Sequence, residues 1–191
     1  LGLMQSVFGS TLDRTTSRNF TGTAVTASAT ANGTSSWRNV RGSFMIDGQL
    51  YTGWSDGTFK VQSYDGTTFG PQTTIPLQLV PGVSASLNRF ASEDLDEITG
   101  MFYDRPTGRI YFTKSDSDQL HWRGFAPESR VVGAQRFSSA SDAGGVSWDN
   151  VQTMFLADGK LYTSSSNGNL VRRDWNAATG LPVSGTNVTV S

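Results

Sequence analysis

The fold is decided by residues 158–172, DGKLYTSSSNGNLVR, in which two alternating runs flank a short polar tip. Leu161 and Tyr162 form an apolar pair in the first run, and Asn167 and Gly168 form a dipeptide typical of a tight turn. Two alternating segments joined by such a turn predict a β-hairpin. The rest of the chain repeats this pattern, so the sequence predicts a fold built from equivalent hairpins.

Three earlier segments carry copies of the pattern. The second repeat has DGQLY at 47–51, and the third has TGRIY at 107–111 with a tip one residue longer. A shorter match opens the chain, where Leu3 and Met4 take the positions of the Leu-Tyr pair. The matching tyrosines of the three clear copies are 60 and then 51 residues apart. This period fits a propeller blade better than a shorter solenoid repeat.

Each full repeat divides into four short strands, which predicts an all-β protein with the architecture of a β-propeller of four-stranded antiparallel blades. We expect the repeats at 1–31, 37–82, 95–140 and 148–191, with the innermost strand of the first repeat missing. Either the chain is a piece of a longer propeller, or another chain supplies that strand. The second alternative predicts self-association through the incomplete first blade.

Composition excludes several classes of function. Fifteen basic and 16 acidic residues leave a net charge of −1, so no basic stripe is present and nucleic acid is not an expected partner. The chain has no cysteine and one histidine, which excludes thiol chemistry and the usual zinc ligand sets. No apolar run approaches the ~20 residues that cross a bilayer, so we expect no membrane insertion.

Aromatic side chains beside short polar residues are the pattern by which proteins bind sugars, since a ring stacks on the pyranose while polar groups bind its hydroxyls. The candidates for glycan binding are Trp54 with Asp56, and Trp37 and Trp148 ahead of the inner strands. The competing interpretation is structural, with Trp37 and Trp148 packed between blades and Trp54 capping a hairpin.

Acidic segments are candidate calcium sites because calcium prefers oxygen ligands. Asp116 and Asp118 lie at one hairpin tip, and an acidic cluster lies at 93–97. Neither has the glycine and terminal glutamate of an EF-hand loop, and the competing interpretation is a solvated acidic loop. We expect no other cofactor. The single His121 is expected at the surface, without the positioned partner that a general base needs.

The proposed inner strands argue against an enzyme. Glycosidases use a pair of carboxylates, which a propeller would place around its axis. The inner strands at 40–46, 98–103 and 151–156 contain no Asp or Glu. We therefore expect no catalytic residues, and a glycan-processing enzyme is the least favoured of the alternatives.

The repeats resemble those of a particular group of proteins. The motifs WRNV at 37–40, WDNV at 148–151 and FAPESRVVGAQRF at 125–137 are similar to the propeller-type repeats of large secreted actinobacterial surface proteins. Those repeats often accompany PKD or malectin-like modules, and related ones occur in phage tail proteins. The third repeat departs from the pattern at Leu95, where the tryptophan is absent.

The resemblance implies a function as well as an architecture. It implies an extracellular or cell-surface module, with a virion as the alternative location. Such a module would bind glycans or contact neighbouring protein modules without catalysis. The alternative is a purely structural or assembly role, such as a surface spacer or a phage tail component, because propellers host many unrelated functions.

Overall fold

The computed structural model describes residues 2–6, 15–25, 30–32, 37–77 and 89–190. These residues form four antiparallel sheets. The first sheet contains β1 (Gly2–Ser6), β2 (Thr15–Asn19) and β3 (Thr30–Asn32). The second contains β4 (Val40–Ile46), β5 (Gln49–Trp54), β6 (Phe59–Ser63) and β7 (Thr73–Thr74).

The third sheet contains β8 (Ile98–Asp104), β9 (Arg109–Lys114), β10 (His121–Ala126), β11 (Val131–Val132) and β12 (Phe137–Ser138). The fourth contains β13 (Val151–Ala157), β14 (Lys160–Ser165), β15 (Leu170–Asn176), β16 (Leu181–Pro182) and β17 (Val188–Val190). One π-helical turn (Phe90–Asp94) and one 3₁₀ turn (Trp148–Asn150) precede β8 and β13. No helix in these described ranges is long and apolar enough to cross a membrane.

The four sheets are the blades of a β-propeller, as the sequence predicts, and we number them 1 to 4 in chain order. Blades 2, 3 and 4 each begin with an inner strand paired to the second strand. In blade 1, β1 pairs with β2, and no other strand among the described residues pairs with β1. The bridge between Phe20 and Val25 after β2 matches the bridge between Tyr64 and Phe69 after β6, so β2 is the third strand of its blade.

The hairpins turn as their sequences predict. Asp47 and Gly48 have φ angles of 48° and 74°, and Asp158 and Gly159 have φ angles of 49° and 69°. Two consecutive residues with positive φ are required by the type I′ turn, whose twist matches that of the flanking strands. The outermost strands are short. In blade 2 the structure assigns Thr73–Thr74 to β7, and residues 78 and 79 lie outside the described part.

A group of three aromatic rings joins blade 2 to blade 3. Phe44 on β4 and Tyr51 on β5 are directly paired across the hairpin, and their rings stack with centroids 5.1 Å apart. Phe125, at the end of β10, presents its edge to both rings at 5.9 and 5.2 Å. Such pairs contribute about 0.5–1.5 kcal/mol each beyond the apolar area that they bury. The hydrophobic core therefore lies between neighbouring blades.

The same three-ring joint recurs twice. Its members are Phe102, Tyr111 and Trp175 between blades 3 and 4, and Phe155, Tyr162 and Phe20 between blades 4 and 1. Phe20 contacts Tyr162 at 5.0 Å although the two residues lie at opposite ends of the chain. Blade 1 thus packs on blade 4 as blade 3 packs on blade 2 and blade 4 packs on blade 3. This contact joins the first blade of the chain to the last.

Glycines allow the inner strands to approach one another. A Cβ atom at Gly42 on β4 would lie 2.7 Å from the Cβ of Met101 on β8. A Cβ atom at Gly100 on β8 would lie 3.0 Å from Met154 on β13. Real Cβ contacts are not this short, so a larger residue would push neighbouring blades apart.

Candidate functional site

Three of the glycan-binding candidates lie together in blade 2. Trp37 is 3% exposed and stacks on Trp54 with ring centroids 6.4 Å apart. The Trp54 indole N–H donates to the Thr52 hydroxyl at 2.9 Å, and the Lys60 ammonium lies 4.1 Å from the centre of the Trp54 ring. The indole of Trp54 is therefore already engaged by side chains of its own blade, and only part of its surface faces solvent.

Asp56 organises the turn that follows Trp54. Its carboxylate accepts hydrogen bonds from the hydroxyl and the backbone N–H of Thr58, at 2.6 and 2.9 Å. These two bonds lower the pKa of Asp56 from its usual value, with the hydroxyl contributing more. The side chain is exposed, so its remaining oxygen faces water.

Trp148 and the two tip aspartates lie in other blades. Trp148 is fully buried between blades 3 and 4, and its indole N–H donates to the Ala143 carbonyl at 3.1 Å. Asp116 is 3.6 Å from the Lys114 ammonium, and the Asp118 carbonyl accepts the backbone N–H of Asp142. All six candidates are in the described part of the chain, and of these six only Trp37 and Trp54 are in ring contact.

The described residues contain no group of three or more His, Cys, Asp or Glu side chains that could hold a metal ion. In the acidic cluster at 93–97, Asp94 is completely buried and binds two cations. Its carboxylate lies 2.9 Å from Nε and 2.8 Å from Nη2 of Arg123, and 2.7 Å from Nη1 of Arg136. Arg123 also donates to the Gly133 and Ala134 carbonyls. Asp94 is therefore neither a calcium ligand nor a solvated carboxylate.

The expectation that His121 lies at the surface is wrong. The side chain is 3% exposed, with Nδ1 2.7 Å from the Ser138 hydroxyl and Nε2 2.9 Å from the Ser117 hydroxyl. Burial, and after it the nearby Arg136 cation, lower the pKa of His121 to about 4. The imidazole is neutral near pH 7, and it links β10 to two neighbouring segments.

Blade 4 contains an open cleft of about 330 Å³ that the sequence did not predict. We call it the blade 4 cleft. It is formed by residues 145–147 and 150–151, by residues 163–165 at the end of β14, and by Val171 and Arg173 on β15. Most of its polar groups are hydroxyls, together with one amide and one guanidinium.

Arg173 is the charged group of the blade 4 cleft. Its guanidinium donates to the Thr163 hydroxyl at 3.3 Å and to the Gly145 carbonyl at 3.4 Å. Burial lowers the pKa of Arg173 from its usual value, which shows that part of its hydration has been removed, although arginine keeps its charge. Among the ion pairs of the described residues, none includes Arg173.

A sequence signal for the blade 4 cleft exists in the repeats. Leu95 of the third repeat aligns with Trp148 of the fourth, so the preceding residues, Asp94 and Ser147, also align. Arg123 and Arg173 each lie two residues before the aromatic residue of the joint. The fourth repeat thus keeps the arginine and lacks the aspartate. In the sequence alone this difference does not indicate a site, because only the structure shows that the two positions are in contact.

Comparisons with known proteins agree with the fold. No protein-family model and no curated protein matches the sequence. The hemopexin fold protein CP4 from cow pea aligns with a TM-score of 0.61 at 12% identity, over 94% of this chain and 83% of that chain. What is shared is the propeller fold. At this identity the likeness to CP4 extends to architecture alone.

Two further solved structures align less well. A nidogen/laminin complex aligns with a TM-score of 0.47 at 10% identity, over 94% of this chain and 95% of that chain. A putative 6-phosphogluconolactonase from Bacteroides uniformis aligns with a TM-score of 0.44 at 12% identity, over 94% of this chain and 49% of that chain. Neither likeness bears on what this propeller binds.

Proposed function

We propose that this chain is a non-enzymatic β-propeller module that binds glycans, with the blade 4 cleft as the binding site. The observation that carries the proposal is the cleft itself. Its volume of about 330 Å³ suits a single sugar ring, at the lower end of the range for small-molecule sites. Its hydroxyl, amide and guanidinium groups offer the donors and acceptors that sugar hydroxyls require.

The absence of acidic groups from the lining supports binding without hydrolysis. None of the described residues that line the cleft is Asp or Glu. In the three inner strands, the single acidic residue is Asp104 at the end of β8, which is buried and accepts a hydrogen bond from the Thr107 hydroxyl at 2.8 Å. Glycoside hydrolysis in most families needs two carboxylates flanking the bond that breaks.

A glycan array followed by calorimetric titration of the best ligand tests this function. Ser165 at the end of β14 occupies the position that Trp54 occupies on β5, since each pairs with the first residue of its inner strand. Ser165→Trp therefore places in blade 4 a side chain that blade 2 accommodates, and it should fill the cleft. We expect this variant to lose glycan binding while keeping the melting temperature.

Trp54→Ala is the matched control, because it alters the equivalent position in blade 2. If the glycan site is in blade 4, this variant keeps its affinity. If binding is lost in Trp54→Ala and kept in Ser165→Trp, the glycan site is in blade 2. An array with no bound glycan would refute the proposed function.

The alternative function, an assembly module, is favoured by one specific feature. Among the described residues, β1 has a strand partner on one edge only, and an unpaired strand edge is a template for a strand from another chain. A second copy would supply that strand. Light scattering showing a defined oligomer, together with an array that binds no glycan, would favour assembly. For the glycan-binding module we propose an extracellular or cell-surface location, which the resemblance of its repeats supports.

A further inference from the structure

Blade 3 contains a site equivalent to the blade 4 cleft, and the group bound there indicates what the cleft binds. Arg123 and Arg173 occupy equivalent positions, because Trp122 pairs with Tyr111 in blade 3 and Arg172 pairs with Tyr162 in blade 4. The residue after each pairing position is therefore an arginine on the same face of the third strand. A comparison of the groups that contact the two arginines shows which group is absent from blade 4.

In blade 3 this arginine binds a carboxylate. Two nitrogens of Arg123 lie 2.9 and 2.8 Å from one oxygen of Asp94, and both side chains are at most 1% exposed. The Asp94 backbone carbonyl accepts the N–H of Glu97 at 3.0 Å. In blade 4 the Ser147 carbonyl accepts the N–H of the residue three positions later at 3.2 Å. Ser147 is therefore in the turn position of Asp94.

Other residues around the cleft are smaller than their counterparts in blade 3. By the same pairing, Phe112 is replaced by Thr163, and Lys114 is replaced by Ser165. These replacements, together with a serine in place of Asp94, leave open space in front of the guanidinium. The blade 4 cleft is thus equivalent to the ion-pair site of blade 3, but it lacks the carboxylate and is lined by smaller side chains.

A guanidinium in this setting has unused binding capacity. Arg173 carries five N–H donors, and its bonds to the Thr163 hydroxyl and the Gly145 carbonyl are long and go to neutral acceptors. Charge-assisted bonds between a guanidinium and a carboxylate are about twice as strong as neutral ones. An external carboxylate would restore the interaction that Asp94 provides in blade 3.

We infer that the blade 4 cleft binds the carboxylate of an acidic sugar, a hexuronic acid residue, through Arg173. The inference rests on the proposed glycan-binding function and narrows its ligand class. The carboxylate takes the place of the Asp94 side chain opposite the guanidinium. The sugar hydroxyls contact the serine and threonine hydroxyls that line the same cleft.

The test is calorimetric titration of the full chain with sodium glucuronate and with glucose. Glucuronate should bind about ten- to a hundredfold more tightly than glucose, the difference that a charged hydrogen-bonded pair provides. Arg173→Gln should remove that preference. Glutamine is chosen because blade 2 has Gln62 at the equivalent position. Arg105→Gln, an exposed arginine of another blade, should change neither affinity.

A second variant tests the equivalence of the two sites with one readout, the melting temperature, that does not depend on any sugar. Ser147→Asp should place an internal carboxylate opposite Arg173, raise the melting temperature and abolish glucuronate binding. Ser147→Asn, of the same size and uncharged, should do neither. If Ser147→Asp neither stabilises the chain nor blocks glucuronate, the inference is wrong.

The outcomes separate the two proposals. If glucose and glucuronate bind equally in the cleft and Arg173→Gln has no effect, the carboxylate inference fails and the glycan-binding function stands. If neither sugar and no glycan on the array binds, both fail. Inorganic phosphate that binds more tightly than glucuronate would identify an anion site of different chemistry and would overturn the assignment to acidic sugars.

Discussion

Replacement of Arg123 by Met should remove the strongest polar interaction inside blade 3. The guanidinium is 1% exposed and makes two contacts, of 2.9 and 2.8 Å, to the fully buried carboxylate of Asp94. Removing one partner of a buried ion pair costs about 3–5 kcal/mol, because the other charge stays desolvated. Arg136 still contacts the second oxygen at 2.7 Å, so we expect the lower end, about 3 kcal/mol. In a domain of this size, that loss lowers the melting temperature by about 6–12 °C.

The measurement is urea unfolding followed by tryptophan fluorescence, with Arg105→Met as the matched control. Arg105 lies 2.7 Å from Asp47, but its side chain and that of Asp47 are 65% and 76% exposed. An exposed pair contributes about 0–1 kcal/mol, although its N···O distance is slightly shorter than those of the buried pair. The double variant Asp94→Asn with Arg123→Met should recover part of the loss, since it removes the buried carboxylate that has lost one of its two cations. If Arg123→Met and Arg105→Met lower the free energy of unfolding by the same amount, burial does not make the Arg123–Asp94 pair the more stabilising one.

Three further changes test other features of the fold by the same unfolding measurement. The wild-type chain should lose up to roughly 3 kcal/mol of stability as the pH falls from 6.5 to 4, since His121 binds a proton more readily in the unfolded chain. If the free energy of unfolding of a His121→Gln variant depends on pH as that of the wild type does, this prediction is wrong. Phe20→Ala should cost about 3–5 kcal/mol, as Phe125→Ala should, and a much smaller cost for Phe20→Ala would show that blade 1 does not pack on blade 4 there. Gly42→Ala should cost about 1–3 kcal/mol because its Cβ would lie 2.7 Å from a side chain of blade 3. Gly124→Ala, with nothing within 4 Å of the added Cβ, should be near neutral, and equal costs for the two glycines would contradict the close approach of the inner strands.

The architecture could be predicted from the sequence because its determinants are local. Alternation of apolar and polar residues marks strands, and the Asp-Gly pairs at 47–48 and 158–159 mark hairpin turns within a few residues. Tyr51, Tyr111 and Tyr162 have equivalent surroundings in the structure, as the repeat predicts. Each stacks on the phenylalanine directly across its hairpin, a contact that follows from the strand register.

The candidate site could not be predicted because it depends on contacts between distant residues. Asp94 and Arg123 are 29 residues apart, so their pairing appears only once the π-helical turn has packed on β10. For Trp54 the contact is local, since its indole N–H donates to the Thr52 hydroxyl two residues away, but the residue types alone do not reveal it. A sequence pattern gives the residue types that bind sugars or ions. It does not show which of them are already bound to one another.

The three-ring joints have a consequence for how the protein unfolds. Each joint takes two rings from one blade and one from the next, so an excised blade would expose to water the rings that it shares with its neighbours. In linear repeat arrays, terminal units can fray while the middle persists. In this chain Phe20 gives blade 4 a successor, so blade 4 shares one joint with blade 3 and another with blade 1. We therefore expect the whole molecule to melt in a single cooperative transition, with equal calorimetric and van't Hoff enthalpies.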